Sequence, residues 1–326
     1  MKAATCRRYG PPETMAVEDI KWPWPQPDEV LVKVHASSVT SGDAHLRGFM
    51  GAGMFWIPMR LLFGILKPRN PVSGMEFAGR VEMVGRNVTR FREGDAVFGL
   101  RIRGANAEYV AVPEASTIAL KPKSLSFDEA AAIPFGALTA LEFLRNFARL
   151  QCGERVMIIG ASGAVGVFAV QLAKHYGADV TGVCSTPNMA LVQSLGADKV
   201  IDYTTTNFLK SEAQYDLILD TVGATSFSAS RPLLADNGRF VFLVQQAEDM
   251  LQAFWTSLRR GKRAIMGISG SPPAEDLEEI VHLVETGALR PVIDQRFDLS
   301  DIVEAHRRVQ TGRKRGAVVI VVNAGS

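Results

Sequence analysis

Cysteine is scarce in this sequence: Cys6, Cys152 and Cys184 are the only three in 326 residues, and none lies near another. An odd, scattered set builds neither a disulfide framework nor a four-cysteine zinc lobe, and it suits a reducing compartment. Excess charge of one sign is also lacking, since 36 Lys and Arg meet 34 Asp and Glu for a formal net charge of +2. The basic residues are spread along the chain, so no nucleic-acid footprint exists. The one dense cluster, Arg313-Lys314-Arg315, reads as a solvated turn. The start of the chain turns polar at Arg7 and Arg8 without the apolar core of a secretory signal, so a cytoplasmic location is expected. The most hydrophobic run, Phe49 to Leu66, is interrupted by Pro58 and Arg60 and falls short of the ~20 clean residues a membrane span needs. His35, His45, His175, His282 and His306 show no metal-ligand spacing.

What is present is the composition of a globular protein, 47% hydrophobic and 21% charged. Single cores stop growing at roughly 250–300 residues, so two domains are expected. The first third reads as β structure. Glu29 to Val39, Glu76 to Gly85, Asp95 to Leu100 and Ala107 to Leu120 are β-branched runs separated by Gly, Pro and Asp turns, which predicts an irregular barrel. In the run Trp22-Pro23-Trp24-Pro25-Gln26-Pro27 each proline lacks an amide donor, so the run belongs in an extended surface loop.

From Phe127 the pattern changes. A helix is predicted over Phe127 to Phe147, then strands over Arg155–Gly160, Asp179–Cys184, Lys199–Tyr203, Tyr215–Asp220, Arg239–Val244 and Arg263–Ile268, alternating with helical segments. That alternation predicts an α/β fold with a doubly wound parallel sheet. A final helix, Leu299 to Gln310, precedes a strand, Gly316 to Val322, that returns to the first domain. The expected organisation is a β-rich substrate domain over 1–125, a dinucleotide-binding domain over 126–290 and a returning segment over 291–326.

The loop Gly160-Ala161-Ser162-Gly163-Ala164-Val165-Gly166 follows the apolar strand Val156-Met157-Ile158-Ile159 and opens a helix running to Lys174. Strand, glycine turn and helix form the context in which backbone amides grip a pyrophosphate, because only small residues let the backbone approach it. Ser162, Gly163, Ala164 and Val165 are the contact candidates. An acid about twenty residues on normally holds the ribose 2′-hydroxyl of NADH. None occurs between Val180 and Leu195. The second strand ends instead in Cys184-Ser185-Thr186-Pro187-Asn188, and the polar groups of Ser185, Thr186 and Asn188 suit a 2′-phosphate, which favours NADPH with NADH possible. Phe242, Leu243 and Val244 close the fifth strand, and Gly267 and Ile268 the sixth, at the carboxyl edge where such sheets bind ligands.

Together with Ile133-Pro134-Phe135-Gly136-Ala137-Leu138-Thr139-Ala140 and Leu195-Gly196-Ala197-Asp198, these residues resemble the medium-chain dehydrogenase/reductase superfamily over essentially the whole chain. Gly10-Pro11-Pro12, Gly42-Asp43 with Arg47, and Gly94-Asp95 with Val97 are similar to its quinone oxidoreductase and alkenal reductase branch. The resemblance implies a GroES-like β-barrel substrate domain, a Rossmann domain, a cleft for the nicotinamide, and a homodimer. It also implies Thr139 near the nicotinamide or a ribose and Tyr203 near the adenosine phosphate. Alcohol dehydrogenases of the superfamily hold zinc through an early Cys and a His-Glu pair. Thr40-Ser41 and Gly74-Met75-Glu76 stand at those positions here, so no metal is expected.

Without a Lewis acid, a developing alkoxide loses its stabiliser. Hydride addition to an enone or a quinone leaves a delocalised anion that a few hydrogen bonds can hold. The expected activity is therefore NADPH-dependent, zinc-free reduction of a quinone or an activated C=C bond, with protonation from solvent. A zinc-free carbonyl reductase and a non-catalytic NADPH-binding protein are the alternatives. Catalytic residues are not assigned, and Thr40, Ser41, Phe49 and Phe135 are the substrate-cleft candidates. Asp43 and Arg47, four apart, are expected to pair on one helical turn. The segment Phe49 to Leu66 is read as buried packing, as a pocket wall or lid, or as a membrane contact for lipophilic substrates.

Overall fold

The computed structural model describes residues 1–49, 56–244, 247–257, 261–267, 270 and 272–322, with the side chains of 56–59 and 247–251 left aside. The chain divides into two compact units. One comprises residues 1–138, 272–287 and 291–322 of those described, the other 139–270 and 288–290.

The first unit opens with strands β1 (Lys2–Cys6), β2 (Met15–Asp19) and β3 (Glu29–Val39), followed by helices α1 (Ser41–Gly48) and α2 (Trp56–Phe63). Strands β4 (Glu76–Val84), β5 (Ala96–Leu100), β6 (Tyr109–Pro113) and β7 (Ile118–Leu120) come next, then α3 (Phe127–Ala131) and α4 (Pro134–Glu142). The predicted strand from Ala107 to Leu120 is thus two, parted by a turn at Glu114 to Thr117. The predicted helix from Phe127 is broken as well. Pro134 has no amide to donate and starts a new helix, which continues as a π-helical turn over Phe143–Phe147.

The second unit holds β8 (Arg155–Ile159), α5 (Gly166–His175), β9 (Asp179–Cys184), α6 (Met189–Ser194), β10 (Lys199–Asp202) and β11 (Tyr215–Asp220). It continues through α7 (Phe227–Ser230), β12 (Leu234–Phe242), α8 (Ala247–Ser257) and β13 (Arg263–Met266). All the strand pairs in this sheet are parallel, in the order β10-β9-β8-β11-β12-β13. That is the doubly wound order in which the chain reverses direction beside β8. Strands β8 and β11 are covered on both faces, as their Val, Ile and Leu runs require. Met157, Ile159, Ile218, Phe240 and Phe242 form one face's core, each such side chain stabilising the fold by about 1.5–3 kcal/mol.

The chain then returns to the first unit with α9 (Ala274–Glu285), β14 (Ile293–Asp298), α10 (Ile302–Gln310) and β15 (Ala317–Val321). Strand β15 pairs antiparallel with β3, Val318 opposite Val39 and Val321 opposite Ala36, so the closing strand does return to the first sheet. That sheet runs β14-β15-β3-β4-β5-β7, with β6 also on β3. Val30, Val32, Phe77, Val97 and Ile118 bury its inner face.

Candidate functional site

In the second unit, β8 delivers the chain to Gly160, whose φ of +78° only glycine adopts without strain. A Cβ there would lie 2.6 Å from Thr221 Oγ1, and one on Gly166 would lie 2.1 Å from the Gly160 carbonyl oxygen. The loop is therefore drawn tight against the start of α5. That start has no side-chain cap. The Val167 and Phe168 amides already bond the Gly163 and Val165 carbonyls at 3.0 and 3.2 Å, so an anion would meet the positive end of the helix through the loop before it, where Gly163 and Ala164 leave room. Asp220 steadies the neighbouring turn: its wholly buried carboxylate accepts from the amides of Val222, Gly223 and Thr225 at 2.9–3.0 Å. Its acidic side chain at the end of β11 was visible in the sequence, but nothing local marked it as a turn anchor.

Asn188 ties this loop to the end of β9. Its Nδ2 donates to Ser162 Oγ at 3.0 Å and to Ser185 Oγ at 3.2 Å. Thr186 donates its hydroxyl to Asp202 Oδ2 at 2.5 Å, and Thr204 donates its hydroxyl at 2.6 Å and its amide at 2.9 Å to Oδ1. Hydrogen bonds from Thr186 and then Thr204 hold the Asp202 carboxyl below the usual range. An acid from β10 thus stands beside the end of β9, Asp202 lying opposite Cys184 in the parallel register. Sequence spacing along one strand could not find it.

The remaining candidates of this unit take varied places. Thr139 is 7% exposed on α4 and Tyr203 is 56% exposed just past β10. Phe242 ends β12 with its side chain buried in the sheet core. Leu243 is half-buried, and exposed Val244 lies against Gly223. Gly267 packs on Phe147 and Phe143. Ile268 lies outside the described residues.

In the first unit, Thr40 caps α1. Its hydroxyl accepts from the Asp43 amide at 3.0 Å while Asp43 Oδ2 takes the Thr40 amide, a reciprocal box. Asp43 also accepts the Gly74 amide and the Thr40 hydroxyl, and does not pair with Arg47 as expected. Arg47 reaches instead to the Gly10 carbonyl, His306 Nδ1 and Gln310 Oε1. Tertiary partners outbid the local spacing.

Thr40 Oγ1 lies 3.5 Å from Met75 Sδ, and a Cβ on Gly42 would stand 2.8 Å from Met75 Sδ and 3.5 Å from the Phe135 ring. Thr40, Met75, Phe135 and Glu76 therefore gather at one place. Glu76 is 3% exposed and accepts from the Ser38 hydroxyl and, at 2.6 Å, from the Phe135 amide. Burial pushes its pKa up to about 7, while burial pulls the wholly enclosed Lys314 down to about 8. This donor set suits zinc poorly. The thioether stands where an imidazole is needed, and the Thr40 and Glu76 oxygens are already engaged. Among the described residues no group of three or more His, Cys, Asp or Glu could hold a metal ion.

The other two cleft candidates lie apart from this cluster. Ser41 is exposed in the first turn of α1. Phe49 caps the helix in the left-handed region, packs edge-on to Tyr9 at 4.9 Å and carries the Arg60 guanidinium 4.1 Å over its ring. Of the apolar segment after it, residues 50–55 lie outside the description, and Leu61, Leu62, Ile65 and Leu66 are exposed rather than buried. Among the described residues no helix is long and apolar enough to cross a membrane.

Comparison with known proteins agrees with this architecture. Residues 26–123 match the alcohol dehydrogenase GroES-like domain and residues 195–320 the family described as zinc-binding dehydrogenase. The human protein named NAD(P)H oxidoreductase RTN4IP1, mitochondrial, is 35% identical over 91% of this chain and 82% of its own length. The tomato (Solanum lycopersicum) 2-methylene-furan-3-one reductase is 33% identical over 98% of this chain and 79% of its own. The solved structure of the quinone oxidoreductase from Coxiella burnetii superposes with a TM-score of 0.86 at 31% identity, covering 99% of each chain. A doubly wound parallel sheet, a GroES-like unit and whole-length relatives of this kind lead to one assignment: the chain is an oxidoreductase of the medium-chain dehydrogenase/reductase family, in its quinone oxidoreductase and enone reductase branch.

Proposed function

We propose that the protein is a zinc-independent reductase that takes hydride from NAD(P)H and delivers it to a quinone or to the activated C=C bond of an enone or enal. The observation that carries this reading is the uncapped N-terminus of α5 behind Gly160, Gly163 and Gly166, which is built to take a diphosphate. Ser162, Gly163, Ala164 and Val165 would hold that diphosphate, and Thr139, Tyr203, Leu243, Val244 and Gly267 are the proposed contacts for the rest of the dinucleotide. Bound there, the reduced nicotinamide supplies a hydride. Relatives named as reductases of a quinone and of a methylene-furanone support the choice of acceptor.

Zinc independence rests on the donor set described above, in which Met75 and Glu76 offer no open ligand position. NADPH is the proposed reductant, with modest selectivity. Ser185, Thr186 and Asn188 offer polar groups to a 2′-phosphate, but no Lys or Arg stands between Ser185 and Asn188, and the Asp202 carboxylate lies against Thr186. Preference over NADH is held within about tenfold, a difference of about 1.4 kcal/mol. Free thiols at Cys6, Cys152 and Cys184 suit a reducing compartment. A homodimer is the proposed assembly, for which exposed Phe254 and Trp255 on α8 offer an apolar face.

Steady-state assays with NADPH and NADH, against a quinone, an enone and the matching saturated ketone, test the reading. Turnover of the first two acceptors and not of the ketone is expected, with no loss after exhaustive chelation. Turnover of the ketone alone, or activity that follows zinc content, would overturn it.

A further inference from the structure

The first unit contains a cavity of about 500 Å3 that neither the nucleotide loop nor the Thr40 cluster explains. Apolar side chains make much of its wall, among them Leu62, Phe63, Leu100, Ile102 and Val112. Three arginines, Arg69, Arg101 and Arg103, also line it, and no Asp or Glu does. Most of the wall's other polar groups are spent. Thr117 donates to the Pro272 carbonyl, Ser116 to that of Pro113 and Arg101 to that of Ala111.

Arg103 differs. It is only 8% exposed, and its Nη1 is buried without a hydrogen-bond partner among the described residues. The charge of Asp43 is near enough to interact with it, but both Asp43 oxygens are already occupied by Thr40 and Gly74. An enclosed cation without a hydrogen-bonded counter-ion is costly, so its retention asks for an anion that arrives from outside. A planar fork of N–H donors matches a carboxylate in two parallel hydrogen bonds. Exposed Leu62 and Ile102 would meet whatever is attached to it.

We propose that this cavity is a binding site for an organic carboxylate with an apolar body, whose carboxylate is received by Arg103 and whose body lies against Leu62, Phe63 and Ile102. The size suits a small molecule, since such sites run from about 300 to 1,000 Å3. The site is independent of the proposed reductase chemistry, and binding is measured without nucleotide so that the two stand or fall separately.

The test is calorimetric titration of the full-length protein with octanoate, octanamide and inorganic phosphate. Octanoate should bind at one per chain and the neutral amide about tenfold more weakly or worse. In Arg103→Met the difference between acid and amide should vanish, while the thermal midpoint stays at or above that of the wild type because an uncompensated buried cation has been removed. Arg103→Lys, which keeps the charge and loses the fork, should bind octanoate with intermediate affinity. Equal binding of octanoate and octanamide, no binding of either, or undiminished octanoate binding by Arg103→Met overturns the proposal, as does phosphate binding more tightly than octanoate. Should Arg103→Met fail to fold, the acid and amide comparison on the wild type decides.

Discussion

Arg47 donates its Nε hydrogen to Nδ1 of His306 at 3.3 Å, although 259 residues separate them along the chain. Both side chains are almost wholly buried, and Nδ1 can accept only while the ring is neutral. Burial, and then the charge of Arg47, push the His306 pKa down to about 3. The unfolded ring titrates near 6.5, so this group's contribution is complete above that pH and is lost as pH falls toward 3. Between pH 6.5 and 4 the loss should be on the order of 3 kcal/mol. Urea unfolding of the wild type and His306→Gln across that range measures it. The variant's stability should fall less steeply, and parallel curves would refute the assignment.

Glu76 should behave in the opposite sense. Its folded pKa, raised by burial to about 7, exceeds that of a free glutamate, so its stabilising effect is complete below about 4.5 and is lost as pH rises through 7. Glu76→Gln keeps one oxygen for the Phe135 amide and turns an NH2 donor to the Ser38 hydroxyl oxygen, but cannot ionise. Thermal midpoints from pH 4.5 to 7.5 should show the wild type losing ground to the variant, by roughly 3 kcal/mol at most. A constant gap between the two would contradict this.

Thr40 is read as a helix cap rather than a participant in chemistry. Thr40→Ala should lower stability by about 1 kcal/mol and Thr40→Ser by much less, because serine restores the reciprocal box with Asp43. The turnover constants of both variants should stay within about twofold of the wild type. A large fall in kcat for Thr40→Ala at full folding would move the residue into the catalytic machinery.

Asp202 places a negative charge against Thr186, where it would repel a 2′-phosphate. Asp202→Asn should therefore raise kcat/KM for NADPH relative to NADH by about tenfold. An unchanged ratio would show that the dinucleotide's adenosine end lies elsewhere.

Much of the parallel sheet was legible in the sequence because β8, β9 and β11 are apolar runs of the right length between turn residues. The hairpin of β1 and β2 escaped notice: each is short, and Gly10-Pro11-Pro12 between them reads only as a loop. Strand β14, Ile293–Asp298, is mostly polar and has no fully buried residue, so periodicity had little to work on. The glycine loop announced itself through spacing. Asp202 did not, because its relation to Thr186 exists only after two strands pair, and Asp43 turned to Thr40 and Gly74 while Arg47 found partners far along the chain. Arg103 carries no local signal in the sequence, because its burial exists only in the fold.

Strand β15 lies between β14 and β3, which gives the order of synthesis a bearing on folding. Residues 139–270 form a nearly contiguous unit and can close while the ribosome is still at work. The earlier residues must wait, with the Ala36–Val39 end of β3, beyond its pairing with β6, offering unmatched amides and carbonyls until Ala317–Val321 emerges. During that interval the newborn chain is a template for stray strand pairing, and chaperones would be needed most before Ala317–Val321 is made.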